Sequence, residues 1–164
     1  MEIENVKETT LYKIQRISYA IVLGGWVMLL FYLYPLDEPV FGISKWFMVG
    51  VPLLAYLFFL AYHYIIDASY VYFTVEKGVI IFRYFSMRML GEDRKSIEIG
   101  LDALINLTVE KSFFNKRWRL ILHQRVGLKV AKYPPISISL LGRTKRDKLL
   151  HVLNSIIIKN KGLG

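Results

Sequence analysis

The residues best suited to contact chemistry stand in one string, Lys111-Ser112-Phe113-Phe114-Asn115-Lys116-Arg117-Trp118-Arg119, where two phenylalanines lie between cations at an expected loop tip. Rings and cations in this order can dip into a membrane interface while Lys111, Lys116, Arg117 and Arg119 meet headgroups, or they can grip an acidic partner. The competing reading folds Phe113 and Phe114 back to plug one end of a barrel and leaves the cations solvated. A second cluster, Arg143, Lys145, Arg146 and Lys148, falls in the first turn of the last expected helix. The helix dipole disfavours cations there, whereas the free N–H groups suit a phosphate or an acidic surface. A solvated helix face is the alternative.

Catalytic spacings are missing. The chain has no cysteine, His123 and His151 lie far apart, and no H-E-x-x-H, G-x-S-x-G or Gly-rich phosphate loop occurs. Asp102 and Asp147 have no carboxylate companion in sequence. The expectation is therefore no enzyme, no cofactor and no metal site. Nor does any nucleic-acid recognition module accompany the positive charge.

The elements that must position these residues follow from charge distribution. Arg16 and Asp37 bracket the uncharged run Ile17 to Leu36, and Lys45 and Asp67 bracket Trp46 to Ile66. About 20 helical residues cross a hydrocarbon core of about 30 Å, so each run is long enough to span. A signal peptide fits the first run poorly, because it ends in Tyr-Leu-Tyr-Pro instead of small residues. Tyr32, Tyr34, Trp46, Phe47, Tyr62 and Tyr64 fall near the run ends, where aromatic rings prefer the headgroup boundary. Pro35, Asp37, Glu38, Pro39 and Gly42 make a short turn, so the helices should be antiparallel neighbours. Gly24, Gly25, Gly50, Pro52 and the Ala20–Gly24 spacing offer close helix approach or a kink, and His63 reads as an interfacial histidine. Lys7, Lys13, Arg16, Lys77 and Arg83 flank one side and Lys45 the other, which places both termini in the cytoplasm.

Beyond residue 67 the period changes. Tyr70–Val75, Val79–Phe85, Lys95–Ile99, Leu104–Glu110, Arg117–His123, Leu128–Lys132 and Ile136–Leu141 read as seven strands, several alternating apolar with polar residues. Ile105, Leu107 and Val109 are expected to face inward, and Glu76-Lys77-Gly78 to turn the first hairpin. Gly91 to Arg94 is a polar break. Leu149, Leu150, Leu153, Ile156 and Ile157 form the stripe of a helix from about Thr144 to Ile158, with Thr144 and Asp147 in a capping pattern and Gly162 just beyond its end. The fold class is α+β, divided into a segment 1–16, a transmembrane hairpin 17–66 with spans 17–36 and 46–66, and a soluble domain 68–160.

Seven strands followed by one helix, carried by Tyr70-Val71-Tyr72-Phe73-Thr74-Val75-Glu76-Lys77-Gly78-Val79-Ile80-Ile81 and by Ile136-Ser137-Ile138-Ser139-Leu140-Leu141 running into Asp147-Lys148-Leu149-Leu150, resemble the bacterial pleckstrin-homology (PH)-like domains that follow paired transmembrane helices. The resemblance implies a seven-stranded antiparallel barrel or sandwich capped by the C-terminal helix. It also implies a place at the bacterial cytoplasmic membrane. Of the K-x(n)-K/R-x-R pattern with which eukaryotic PH domains bind phosphoinositides, Lys77 and Arg83 match two positions and Phe85 stands at the third. Residues 68–164 hold 18 Lys or Arg against 7 Asp or Glu, a formal +11, which an anionic leaflet attracts. The expected function is a membrane-anchored interaction module that binds a protein partner or its own copy. A binder of anionic lipid headgroups and an accessory subunit of a membrane enzyme are the alternatives.

Overall fold

The two long apolar runs are helical. In the computed structural model, which describes residues 2–33, 42–87 and 94–162, α1 covers Val6–Leu33 and α2 covers Lys45–Ile65, with Pro52 inside it. Contacts run in opposite order along the two helices. The Phe31 ring meets Trp46 at 6.2 Å, Trp26 Nε1 donates to Met48 O at 3.2 Å, Tyr19 meets Phe59 at 5.2 Å, and Tyr12 stacks on His63 at 4.4 Å. The helices are therefore antiparallel neighbours joined by rings. The glycines read as ordinary membrane-helix composition and not as points of close approach: a Cβ added at Gly24, Gly25 or Gly50 would meet nothing within 4 Å. Each helix contains an 18-residue stretch of mean hydropathy above 1.5 in which almost no residue is buried, with Met28 77% exposed, unlike the mostly buried core helix of a soluble protein. Tyr34, Pro35, Asp37, Glu38 and Pro39 of the expected turn, and Gly91 to Asp93 of the polar break, lie outside the described residues.

Thr10–Tyr64 forms one compact unit, and Met1–Thr9 with Ile65–Gly164 forms the other. This β-rich unit holds two antiparallel sheets. The first has the order β1(Glu2–Glu4), β2(Ser69–Glu76), β3(Val79–Ser86), β4(Lys95–Gly100). In the second, β6(Arg117–Val126) pairs with β5(Leu104–Ser112) on one side and with both β7(Lys129–Lys132) and β8(Ile136–Ser137) on the other. α3(Arg143–Gly162) follows. Phe73, Phe82, Ile80, Ile99, Leu120, Leu122, Ile136 and Ile138 meet between the sheets, and α3 contributes Leu149, Leu153 and Ile157 from its stripe. Fully burying a Leu, Ile or Phe side chain is worth about 1.5–3 kcal/mol, so this core, and not helix or strand propensity, holds the unit together.

Several boundaries differ from the sequence reading, each for a local reason. The β2–β3 turn has only two central residues, Lys77 at φ 48° and Gly78 at φ 80°, the backbone of a type I′ hairpin. A bulge between Leu104 and Asn106 shifts the register of β5, so Leu104 is buried alongside Leu107 and Val109 while Ile105 drops out of the inward set. The last strand is short. Pro134 and Pro135 offer no N–H, and pairing resumes only at Ile136 and Ser137, after which a turn closes with Leu141 N donating to Ile138 O. Gly142 O accepts the first bond of α3 from Arg146 N, so Thr144 lies inside the first turn and is not its cap, and the helix runs through Gly162.

The largest difference is at the N-terminus. The segment read as a cytoplasmic leader pairs with the β-rich unit: Glu2, Ile3 and Glu4 lie opposite Thr74, Phe73 and Tyr72, with Ile3 in the core. Asn5, fully buried, then donates from Nδ2 to Ser69 O at 2.9 Å and accepts at Oδ1 from Val71 N at 2.8 Å. Its carbonyl accepts Thr9 N, starting α1.

Candidate functional site

Both connections to the helical unit leave from one end of the β-rich unit. The start of α1 is fixed by Asn5 beside Ser69 and Val71, and α2 passes into Ile66–Ala68, just before them in sequence. Strand register then sorts the loops. Ser69 pairs with Ser86 and Tyr84 with Lys95, so the start of β2, the end of β3 and the start of β4 lie at this end. The β2–β3 turn is at the opposite end, where Gly78 O accepts Leu101 N. Lys77, at this turn, is therefore remote from both connections.

Asp67 brings the second sheet into line. Held at φ 57° between α2 and β2, it sets its carboxylate 3.5 Å from Arg117 and 3.8 Å from Arg119, and its carbonyl accepts Ser137 Oγ at 2.6 Å and Ser69 Oγ at 3.1 Å. The first residues of β6 and the loop before them thus lie at the connection end. So does the first turn of α3, because Lys145 Nζ donates to both oxygens of Glu8 at 2.9 and 3.1 Å.

The basic string divides by strand alternation. Lys111 pairs directly with Trp118, and on that face the Lys111 ammonium lies 4.2 Å and the Arg146 guanidinium 3.9 Å from the Trp118 ring centroid. Arg117 and Arg119 point to the other face, towards Asp67. Trp118 therefore joins the two clusters that the sequence showed apart, through Lys111 on one side and Arg146 on the other. Lys145 is engaged by Glu8, and Arg143 lies 3.9 Å from Asp147 in an exposed pair one turn apart. Lys116 stands exposed at the tip.

The tip does not fold back. Phe114 is 92% exposed and Phe113 43%, with their rings edge to face at 5.9 Å. Phe113, Phe114 and Asn115 all adopt left-handed φ, 52°, 52° and 61°. Such a conformation costs roughly 1 kcal/mol for a side chain like phenylalanine. Two bonds hold it: Lys116 N donates to Phe113 O at 3.0 Å, and Trp118 Nε1 donates to Asn115 O at 2.8 Å. Trp118, clamped by its two cations, is thus the fixed base of an outward-facing aromatic tip.

At the same end, on the outer face of the first sheet, Tyr70 stacks on Phe85 at 4.8 Å, and Arg83, Arg94 and Lys95 share with them a pocket of about 260 Å³. Burial raises the Tyr70 phenol above its ordinary value of 10.0, with Glu4 adding to the effect. Burial and the Glu2 carboxylate raise Tyr72, and burial raises Tyr84. The folded chain thus holds these protons more tightly than the unfolded chain does. The stability they contribute is whole below pH 10 and falls as pH rises above it, since the unfolded state ionises first. Alkaline unfolding followed by circular dichroism and phenolate absorbance should accordingly begin near the ordinary tyrosine range, and Tyr84→Phe should shift its midpoint upward.

The sequence places a strand at Leu128–Lys132, observed as β7, but not the projection it forms with the end of β6. β5 pairs with β6 only as far as Gln124, and beyond it residues 125–130 form a short two-stranded arm exposed on both faces. Gly127, at φ 60°, opens its type II′ turn, and Leu128 at the tip is 106% exposed with Val126 and Val130 beside it. The signal available was the run Val126-Gly127-Leu128-Lys129-Val130, whose glycine marks a turn between apolar positions. β6 has ten residues, which at about 3.3 Å each sets this arm roughly 30 Å from the Phe113–Phe114 tip.

From Lys111 to Arg146 the chain contains ten Lys or Arg and no Asp or Glu, of which Arg117, Arg119, Arg143 and Lys145 are met by carboxylates from outside the stretch. The histidines lie on separate elements: His63 in α2, His123 in β6 beside Thr108 Oγ1, and His151 exposed on α3. Among the described residues no three His, Asp or Glu side chains gather as a metal site would require. No family model matches this chain, and no curated protein or solved structure matches it either.

Proposed function

We propose that the chain is a non-enzymatic interaction module: a PH-like unit held at the cytoplasmic face of a bacterial membrane by the α1–α2 hairpin, where it binds a protein partner or its own copy. The observation that carries this reading is the β6–β7 arm, an apolar, cation-flanked projection at the end remote from both connections. A two-stranded ribbon exposed on both faces gains little stability by itself and is well shaped to receive a neighbour. Support for the anchor is topological. Residues 2–9 and 65 onward belong to one unit, so the intervening helices must enter and return on the same side, and the Lys and Arg balance favours the cytoplasm. Two sheets followed by α3 are the order expected of a PH-like unit.

The arm's charge narrows the partner. Pairing β7 with β7 of a second copy about a two-fold axis would set Lys129 opposite Lys132, and like charges directly opposite are destabilising. An acidic strand or surface is the better complement. The test is crosslinking and mild-detergent recovery of the full chain beside the triple variant Val126→Ser/Leu128→Ser/Val130→Ser. A stoichiometric complex that persists at high salt and is lost in the variant is the expected result; a complex indifferent to these changes would remove the arm from the interface.

A second reading, binding of anionic lipid, is favoured by the outward Phe113–Phe114 tip and by its position at the connection end.

A further inference from the structure

We propose that the Phe113–Phe114 tip is a wedge that enters the same leaflet through which α1 and α2 pass, with Lys116 and the cations beside it on anionic headgroups. This inference rests on the membrane-anchored reading and adds a second, non-spanning contact to it. Three independent observations converge on it. Asp67, two residues beyond α2, is bonded to the first residues of β6, so the loop that precedes β6 stands at the end of the unit from which both helices depart. The rings are turned outward by three successive left-handed residues, although turning them inward would have buried apolar surface. The chain from Lys111 to Arg146 contributes ten Lys or Arg and no Asp or Glu, and of these Lys116 stands exposed at the tip itself, where it complements a leaflet of anionic lipid.

The geometry of the tip suits that occupant. A planar leaflet asks for a blunt apolar point ringed by cations and for a rigid support that does not yield when the point enters. Phe114 supplies the point, Phe113 its flank and Lys116 the nearest free ammonium. Trp118 supplies the support, fixed by Asn115 O below the tip and by Lys111 and Arg146 over its ring. Arg117 and Arg119, engaged with Asp67, tie this support to the residue that leads out of α2. The arm at Leu128, some ten strand residues away, is left to face the cytoplasm.

The chain contains no cysteine, so a single introduced thiol is a unique label. Ser112→Cys, Leu128→Cys and Met28→Cys would each carry the fluorophore NBD on full-length protein in nanodiscs of phosphatidylglycerol and phosphatidylcholine. Quenching by acyl-chain nitroxide lipid is the readout. Labels at 112 and 28 should be quenched several-fold more than the label at 128. Quenching at 112 should fall to the level of 128 when Phe113→Ser/Phe114→Ser is added, and should weaken in pure phosphatidylcholine. Quenching at 28 without quenching at 112, or quenching at 112 that the two serines leave unchanged, would overturn the wedge while leaving the anchor standing. Absence of quenching at 28 would overturn both.

Discussion

Asn5→Ala is expected to destabilise the β-rich unit by about 2–4 kcal/mol, more than any other single polar substitution outside the helices. The side chain is fully buried, and its removal strands the carbonyl of Ser69 and the N–H of Val71 where water does not reach. Each buried group left unpaired costs about 1–3 kcal/mol. In a domain of this size about 1 kcal/mol moves the melting temperature by roughly 4–8 °C, so thermal unfolding in detergent should show the loss directly. Hydrogen exchange should also accelerate at Val71. Asn5→Asp is not a rescue: it retains an acceptor for Val71 N–H but removes the donor to Ser69 O and brings a charge into the same buried place. An unchanged melting temperature in Asn5→Ala would mean that β1 does not hold the start of α1 against β2.

Asp67→Ala should cost about 2–3 kcal/mol by two separable routes. The backbone at φ 57° is tolerated by Asp and Asn and penalises alanine by roughly 1 kcal/mol, while loss of the carboxylate leaves Arg117 and Arg119 facing each other's charge. Because these groups are partly solvated, the ionic share is about 1–2 kcal/mol, below that of a fully buried pair. Asp67→Asn isolates the second route, since it keeps the backbone preference and removes the charge. The expected order of melting temperatures is wild type, then Asn, then Ala. Equal values for Asn and Ala would assign the whole effect to the ion pairs.

How much of this was legible in sequence depended on the range of the forces involved. Alternation in Lys95–Ile99 and Arg117–His123, and the stripe from Leu149 to Ile157, report local burial and were readable because a strand or helix repeats its environment every two or 3.6 residues. β1 was not readable, since three residues, Glu2-Ile3-Glu4, are too few to establish a period. Asn5 and Glu8 do show the spacing of a helix start, but the fold spends their side chains on β2 and on Lys145 instead of on the helix's own N–H groups. The bulge removed Ile105 from a sound alternation, while Leu107 and Val109 kept their inward places, because it is set by pairing with β6 and not by its own neighbours. At the candidate site, the string Lys111 to Arg119 was visible by type, yet which cations remain available depended on Asp67, fifty residues earlier, and on Arg146, in another element. Nothing in Phe113-Phe114 announces a left-handed backbone, a conformation that phenylalanine disfavours and that only the surrounding bonds impose.

The pairing of β1 with β2 also sets the order in which the protein can be made. The bonds from Asn5 join residues 64 and 66 positions apart, so at a synthesis rate of about 5–20 residues per second the N-terminal strand waits roughly 3–13 s for its partner to leave the ribosome. Under the membrane-anchored reading proposed above, both helices would be inserted during that interval. A chain inserted with a single crossing would strand Glu2 to Asn5 on the far side, leaving the edge of β2 open and its buried amide site empty. Were the helices to span a membrane as proposed, only a chain that crosses twice would bring Glu2 to Glu4 back beside Thr74 to Tyr72 and complete the sheet.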